Sequence, residues 1–419
     1  MSRERYYARM VDILGILESA RVINAAGTVT RYGASPMDPR VVSAMATAAG
    51  WSVDMAALQA RASEIIAAAT GAEAGIVTSG AMAGLLVGAA ACMTGLDPVK
   101  MAKLPDASAM RNQFIVSRSH RNSYDHGVRA AGAELVDVGL PDRITGCGVR
   151  DTEAWEYESA IGERTAGILY LARADSRPDL GEVVRVAQAA RIPVLVDAAA
   201  ELPPAGNLRR FIDQGADLVA FSGGKSIGGP SASGILCGRR ALIGSALLQQ
   251  LDLDFVYEDW DPPAELIDKQ ALRGVPRHGI ARSCKVGKEQ IAGLLTALQL
   301  FCAQGDAGRN LRFARIVDAL LAAAADLPGL SVQRVDDAAH GGMPLLELRT
   351  LPSRMSASRI SLSARELAAR LRNGRPSIHV DGTRADAGLL VLAPTCLTAD
   401  DVPLIADALR AASARGNEL

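Results

Sequence analysis

Between about residues 50 and 240 the chain repeats one pattern, a short strand-like run followed by a stretch of helical character. Seven such runs occur, at Ala74–Thr78, Gln113–Ser117, Glu134–Val138, Ala166–Leu171, Pro193–Val196, Asp217–Phe221 and Gly234–Cys237. Most are apolar at every position. A strand covered on one face alternates apolar and polar residues, whereas an unbroken apolar run is covered on both faces. The intervening helices supply that cover. The pattern therefore specifies an α/β fold, with a mostly parallel seven-stranded sheet between helices.

The pattern changes after residue 285. Lys285 to about Cys302 reads as one long helix. Beyond it, runs at Gly329–Val335, Pro344–Thr350, Ser377–Val380 and Leu389–Leu392 alternate with helical stretches near Ala364–Arg372 and Ala399–Ala412, as in a smaller α+β domain. The expected division is an N-terminal arm (1–50), a large domain (51–285) and a connecting helix with a small C-terminal domain (286–419).

One stretch, Ala74 to Leu96, carries no charge and has the length to span a bilayer. It contains Thr78-Ser79-Gly80, however, so a strand, a turn and a buried helix are expected and a membrane span is not. The charged start, Met1-Ser2-Arg3-Glu4-Arg5, leads into no apolar segment of signal-peptide type. Six cysteines (Cys92, Cys147, Cys237, Cys284, Cys302 and Cys396) include no C-x-x-C pair, so no metal site is indicated. Reduced thiols of a cytoplasmic protein are expected. The formal net charge of −1 offers no general attraction for nucleic acid.

Three motifs carry chemistry. The first is Phe221-Ser222-Gly223-Gly224-Lys225-Ser226-Ile227-Gly228-Gly229-Pro230, a strand running into a glycine-flanked lysine. Glycines let the backbone approach a ligand closely. A lysine desolvated at a strand end loses proton affinity and becomes able to form a Schiff base. The second is Val194-Leu195-Val196-Asp197, a carboxylate at the end of a buried strand. In open α/β sheets that edge is where ligands bind, and a buried carboxylate needs a cationic partner. The third is Thr78-Ser79-Gly80-Ala81-Met82-Ala83-Gly84, where a strand turns into a helix. Free N–H groups and the helix dipole make such a start an anion site.

An anion turn, a strand-end aspartate and a glycine-flanked lysine, in that order, resemble the fold-type I pyridoxal-phosphate enzymes. More closely, the chain is similar to the selenocysteine synthase (L-seryl-tRNA selenium transferase) group and to D-glucosaminate-6-phosphate ammonia-lyases. The residues that carry this are Val22-Ile23-Asn24-Ala25-Ala26-Gly27-Thr28, Phe114-Ile115-Val116-Ser117-Arg118, Ala130-Ala131-Gly132-Ala133-Glu134-Leu135, Asp217 through Lys225, and Arg282-Ser283-Cys284-Lys285-Val286-Gly287-Lys288.

The resemblance implies roles. Lys225 holds pyridoxal 5′-phosphate as a Schiff base and moves protons at the substrate α-carbon. Asp197 keeps the ring nitrogen protonated. Ser79, Gly80 and Ala81 hold the phosphate, with Ser222. His120 stacks on the ring, with His126 as the fallback. Arg277, Arg282, Lys285 and Lys288 form a basic cluster for a substrate anion, and Arg31 and Arg375 are further candidates. The implied reaction is removal of a β-substituent and ammonia from an amino acid or amino sugar acid, as from D-glucosaminate 6-phosphate. Selenium or sulfur transfer to seryl-tRNA is the alternative, as are racemase, aldolase or aminotransferase chemistry on the same scaffold. The transferases bear an N-terminal tRNA-binding domain, for which the motif starting at Val22 leaves no room. A homodimer or higher homo-oligomer is expected.

Overall fold

The computed structural model describes residues 13–140, 151–351 and 362–414. Its strands are β1 (Ile23–Ala25), β2 (Ala74–Thr78), β3 (Gln113–Ser117), β4 (Glu134–Val138), β5 (Thr165–Leu171), β6 (Val194–Asp197) and β7 (Leu218–Ser222). They continue with β8 (Gly234–Gly238), β9 (Leu330–Asp337), β10 (Met343–Thr350), β11 (Ile378–Val380) and β12 (Leu389–Leu392). The described residues fall into two compact units. One is Ser35–Ala307 with Ala339–Gly341; the other comprises the residues up to Ala34, Gly308–Ala338 and those from Gly342 onward.

In the first unit β2 to β8 form one seven-stranded sheet, in the order β2-β8-β7-β6-β5-β3-β4. Only β8 runs antiparallel to its neighbours. The unbroken apolar runs have the cause expected of them, because successive side chains enter cores on opposite faces. Val194 and Val196 pack with Ile115, Val219 and Phe221, while Leu195 packs with Phe114, Val116 and Leu218 on the other side.

The charge-free stretch after Ala74 resolves into β2, the Ser79-Gly80 turn and the helix Ala81–Thr94. That helix lacks charge because it is buried against the sheet. At Gly88 a Cβ would already stand 3.0 Å from Leu195 Cδ1. Among the described residues no helix is long and apolar enough to cross a membrane.

In the second unit β9, β10 and β12 form an antiparallel sheet, and β1 pairs in parallel with β11. Leu346, Leu348, Leu390 and Leu392 meet Leu367, Leu371 and Leu409 of the helices Ala364–Arg372 and Asp401–Ala414 in a separate core.

The long helix differs from its expected span. It runs from Lys288 to Ala324, not from Lys285 to about Cys302, and is interrupted at Gly305 (φ 62°, ψ 175°). The residues before it form a 3₁₀ turn, Ile280–Cys284, and Lys285 leaves that turn extended (φ −56°, ψ 145°). At Gly305 the left-handed φ, open to glycine, lets the chain break and resume helix.

Candidate active site

Sheet order brings the three motifs to one edge. β2, β6 and β7 end there and β8 begins there, with Thr78 and Ser222 both paired to Gly234. Asp197 pairs with Ala220 of β7 on one side and Leu171 of β5 on the other. The loop bearing Lys225 leaves β7 three residues after Ser222.

That loop is tightly held. Gly223 N–H donates to the Ser233 carbonyl at 2.9 Å, and Gly228 N–H to the Lys225 carbonyl at 3.0 Å. A Cβ on Gly224 would stand 2.6 Å from Ser231 Cα, so only glycine fits beside the lysine. Ser35, which the motifs did not indicate, clamps the loop from a distant part of the chain. Its N–H donates to the Gly224 carbonyl at 3.0 Å, and its hydroxyl to the Lys225 carbonyl at 2.8 Å.

The electrostatics suit a reactive amine. Burial pulls the Lys225 ammonium below the usual lysine range, while Asp197 and Glu201 act to hold its charge. Asp197 is 6% exposed. Burial pushes its carboxyl above the usual range, against the pull of the Ala199 N–H, which donates at 3.0 Å, and of Lys225.

The anion turn is open for a ligand. Gly80 precedes the helix Ala81–Thr94 with φ 126° and ψ 164°, and no side chain caps that helix. Its first N–H groups are therefore left for an external acceptor. The Ser79 hydroxyl donates to the Cys284 carbonyl at 2.7 Å, which ties the turn to the segment before the long helix.

The two histidines are placed differently. His120 ends the 3₁₀ turn Arg118–His120 after β3 and is 3% exposed, its ring edge-on to Tyr170 at 4.9 Å. His126 is exposed.

The basic residues also separate. Arg282, Lys285 and Lys288 line a cavity of about 330 Å³, together with Gln59, Gln250, Asp252 and Glu289. Arg277 is exposed and is not among the residues lining it. Arg282 is engaged, donating to the Gln250 carbonyl at 3.0 Å and to the Asp252 carboxylate at 3.2 Å. Lys288 pairs with Glu289. Lys285 is exposed at the rim. Gln250 is 5% exposed, and its side-chain amide finds no hydrogen-bond partner among the described residues. In the second unit, exposed Arg31 lies over the Tyr32 ring at 4.9 Å, and Arg375 is exposed. Cys147 lies outside the described residues.

These residues fit pyridoxal 5′-phosphate. Uncapped N–H groups at Gly80–Ala81 suit its phosphate, the buried Asp197 carboxylate suits a protonated ring nitrogen, and the desolvated Lys225 amine suits its aldehyde.

Comparison with known proteins accords with that fit. The family described as "SelA: L-seryl-tRNA selenium transferase" matches residues 22–255. The chain is 31% identical over 398 residues to the D-glucosaminate-6-phosphate ammonia lyase of Salmonella typhimurium (strain 14028s / SGSC 2262), covering 93% of this chain and 95% of that one. It is also 31% identical over 384 residues to the 5′-C-glycyluridine monooxygenase-decarboxylase of a Streptomyces species, covering 90% of this chain and 86% of that one. A solved structure of D-glucosaminate-6-phosphate ammonia-lyase superposes with a TM-score of 0.78 at 28% identity, over 98% of this chain and all of that one.

Proposed function

The chain belongs to the L-seryl-tRNA selenium transferase family of pyridoxal-phosphate enzymes, and from that premise we propose that it is an ammonia-lyase acting on a phosphorylated amino sugar acid. The observation that supports this most is the cavity lined by Lys285, Lys288 and Gln250, tied to the anion turn by the bond from Ser79 to Cys284. A cation and an amide suit a substrate with a phosphate and hydroxyls. The relative matched over nearly its whole length is named for such a substrate.

In this reading each side chain has a task. Ser79, Gly80, Ala81 and Ser222 bind the cofactor phosphate, and Asp197 holds a proton on the ring nitrogen. His120 lies against the ring. When bound, pyridoxal phosphate supplies the electron sink for charge left at the α-carbon. Lys225 holds the cofactor, then takes the α-proton once the substrate amine has displaced it. Its depressed proton affinity suits it to act as a base. Lys285 and Lys288 bind the substrate anion, and Arg282 fixes the wall of that cavity. Loss of water across C2–C3 and its return as ammonia leaves give a 2-keto-3-deoxy acid. The net change is loss of ammonia alone.

The net charge of −1 supports a small-molecule substrate over tRNA. Exposed Met82 and Tyr124, near the anion turn and His120, support a homodimer. The buried Cys237 thiol, which is in no disulfide, accords with a cytoplasmic location.

Incubation of the holoenzyme with D-glucosaminate 6-phosphate, without added keto acid, should release ammonia and a 2-keto acid in equal amounts. Oxygen uptake or decarboxylation with an amino acid, and no ammonia from the sugar acid, would overturn the reading in favour of chemistry like that of the Streptomyces relative.

A further inference from the structure

Two carboxyl groups, Asp197 and Glu201, hold up the charge of the Lys225 amine. Asp197 is committed to the ring nitrogen in the reading above, and Glu201 has no part in it. Glu201 sits on the turn that leaves β6, four residues after Asp197. Its N–H donates to the Ala198 carbonyl at 3.2 Å, and the buried Asn207 amide donates to its carbonyl at 2.7 Å. The next residue, Leu202, accepts from the Ser226 hydroxyl at 2.6 Å, which ties this turn to the residue after Lys225. From elsewhere in the chain, Ala339–Gly341 belongs to the same unit. A Cβ on Gly341 would stand 3.1 Å from Pro204 Cβ.

Burial pushes the Glu201 carboxyl above the usual range; His340, Arg210 and Arg173 pull it down and Asp197 pushes it up. Among the described residues none donates a hydrogen bond to that carboxyl. Burial thus favours its protonated form, and among the described residues no hydrogen-bond partner competes with a ligand for that proton.

We propose that Glu201 is a second catalytic carboxyl of this site, the acid that protonates the β-substituent as it leaves while Lys225 serves the α-carbon. The proposal rests on the lyase reading. Hydroxide is a poor leaving group, so its departure from C3 calls for an acid. The C3–O bond breaks and its electron pair leaves with the oxygen. That oxygen takes the Glu201 proton and departs as water, leaving a carboxylate. The electrons of the new C2–C3 double bond come from the α-carbon, whose proton went to Lys225. Return of that proton from Lys225 to Glu201 resets both groups. Burial raises the proton affinity of Glu201 and lowers that of Lys225, and bringing the two closer together suits a proton passed between them.

The test compares wild type, Glu201→Gln and Glu201→Asp holoenzymes. Substrates are D-glucosaminate 6-phosphate and its 3-chloro-3-deoxy analogue, whose chloride leaves without a proton. Glu201→Gln should release ammonia from the hydroxy substrate at least ~100-fold more slowly and turn over the chloro analogue at close to the wild-type rate. Glu201→Asp should recover part of the loss. In the cofactor-free proteins, Lys225 labelled by reductive methylation should titrate at lower pH in Glu201→Gln than in wild type. Equal loss on both substrates, no loss on either, or an unmoved Lys225 titration would overturn the proposal. Failure of the wild-type chain to release ammonia is a separate result, and it sinks the lyase reading itself.

Discussion

Gly234 faces Gly80 so closely that a Cβ on Gly234 would stand 2.5 Å from the Gly80 carbonyl carbon and 2.7 Å from the Ala81 nitrogen. The anion turn thus rests on the start of β8, and its N–H groups are aimed by that contact. Gly234→Ala should displace the turn, costing about 1–3 kcal/mol of stability and weakening pyridoxal phosphate binding. Gly80→Ala meets no atom within 4 Å, but its φ of 126° is closed to alanine. It should cost a similar ~1–3 kcal/mol through strain. Cofactor titration followed by absorbance, with urea denaturation of the cofactor-free proteins, checks both. Unchanged cofactor affinity in Gly234→Ala would show that the turn does not hold the phosphate.

Lys225→Ala should remove the covalent attachment of the cofactor. Borohydride reduction of wild type should fix the cofactor on the peptide containing Lys225, and the variant should yield no adduct. Ammonia release should fall by at least ~1,000-fold, as expected when a covalent and a proton-transfer role are lost together. An adduct on another lysine of the variant, with activity retained, would move the site elsewhere.

The sheet was legible because burial on two faces leaves a mark on every residue of a strand, as Val194, Leu195 and Val196 show by entering opposite cores. The three motifs were legible because a parallel sheet gathers strand ends whatever their separation in sequence. Ser79, Asp197 and Lys225 needed only to follow the right strands. What could not be read was tertiary. Ser35 clamps Lys225 across 190 positions and lies in no strand or helix pattern. Glu201 belongs to none of the three motifs, since its significance comes from its electrostatic coupling to Lys225. Arg282 and Lys285 read alike as cations, yet only the folded chain shows Arg282 spent on the Gln250 carbonyl and Asp252. The start of the long helix was misplaced because the 3₁₀ turn Ile280–Cys284 has no distinctive composition.

That difference between the two cations is testable. Lys285→Ala should raise KM for the phosphorylated substrate roughly 10- to 100-fold with kcat preserved, as for loss of a charged hydrogen bond of ~1.5–3 kcal/mol. The effect should shrink for a substrate without phosphate. Arg282→Ala should instead lower stability by about 1–3 kcal/mol, because it strips the carbonyl of buried Gln250 of its arginine donor and leaves Asp252 with the Asp254 N–H in place of the guanidinium. Steady-state kinetics with urea denaturation separate the two. A KM effect of equal size on both substrates would mean that Lys285 does not read the phosphate.

Asp197 should affect the cofactor-free and loaded proteins in opposite directions. In the free protein, burial raises its carboxyl pKa above the unfolded value. Within that window the folded state binds more protons than the unfolded, so stability falls as pH rises through it. Asp197→Asn removes that cost while keeping an oxygen to accept the Ala199 N–H, and should stabilise the cofactor-free protein by roughly 1 kcal/mol at neutral pH. The gain should vanish as pH drops into the ordinary carboxylate range, where wild type is protonated in both states. In the loaded protein the sign should reverse, because in the proposed binding mode the ring nitrogen would supply the cation that the carboxylate lacks. There Asp197→Asn should weaken cofactor binding at least ~10-fold and lower activity far more, since a neutral amide does not hold a proton on that nitrogen. Urea denaturation of both forms across pH 4–8 checks the crossing. Destabilisation of the free protein by Asp197→Asn at neutral pH would mean that the carboxylate has a structural partner in place of the cofactor.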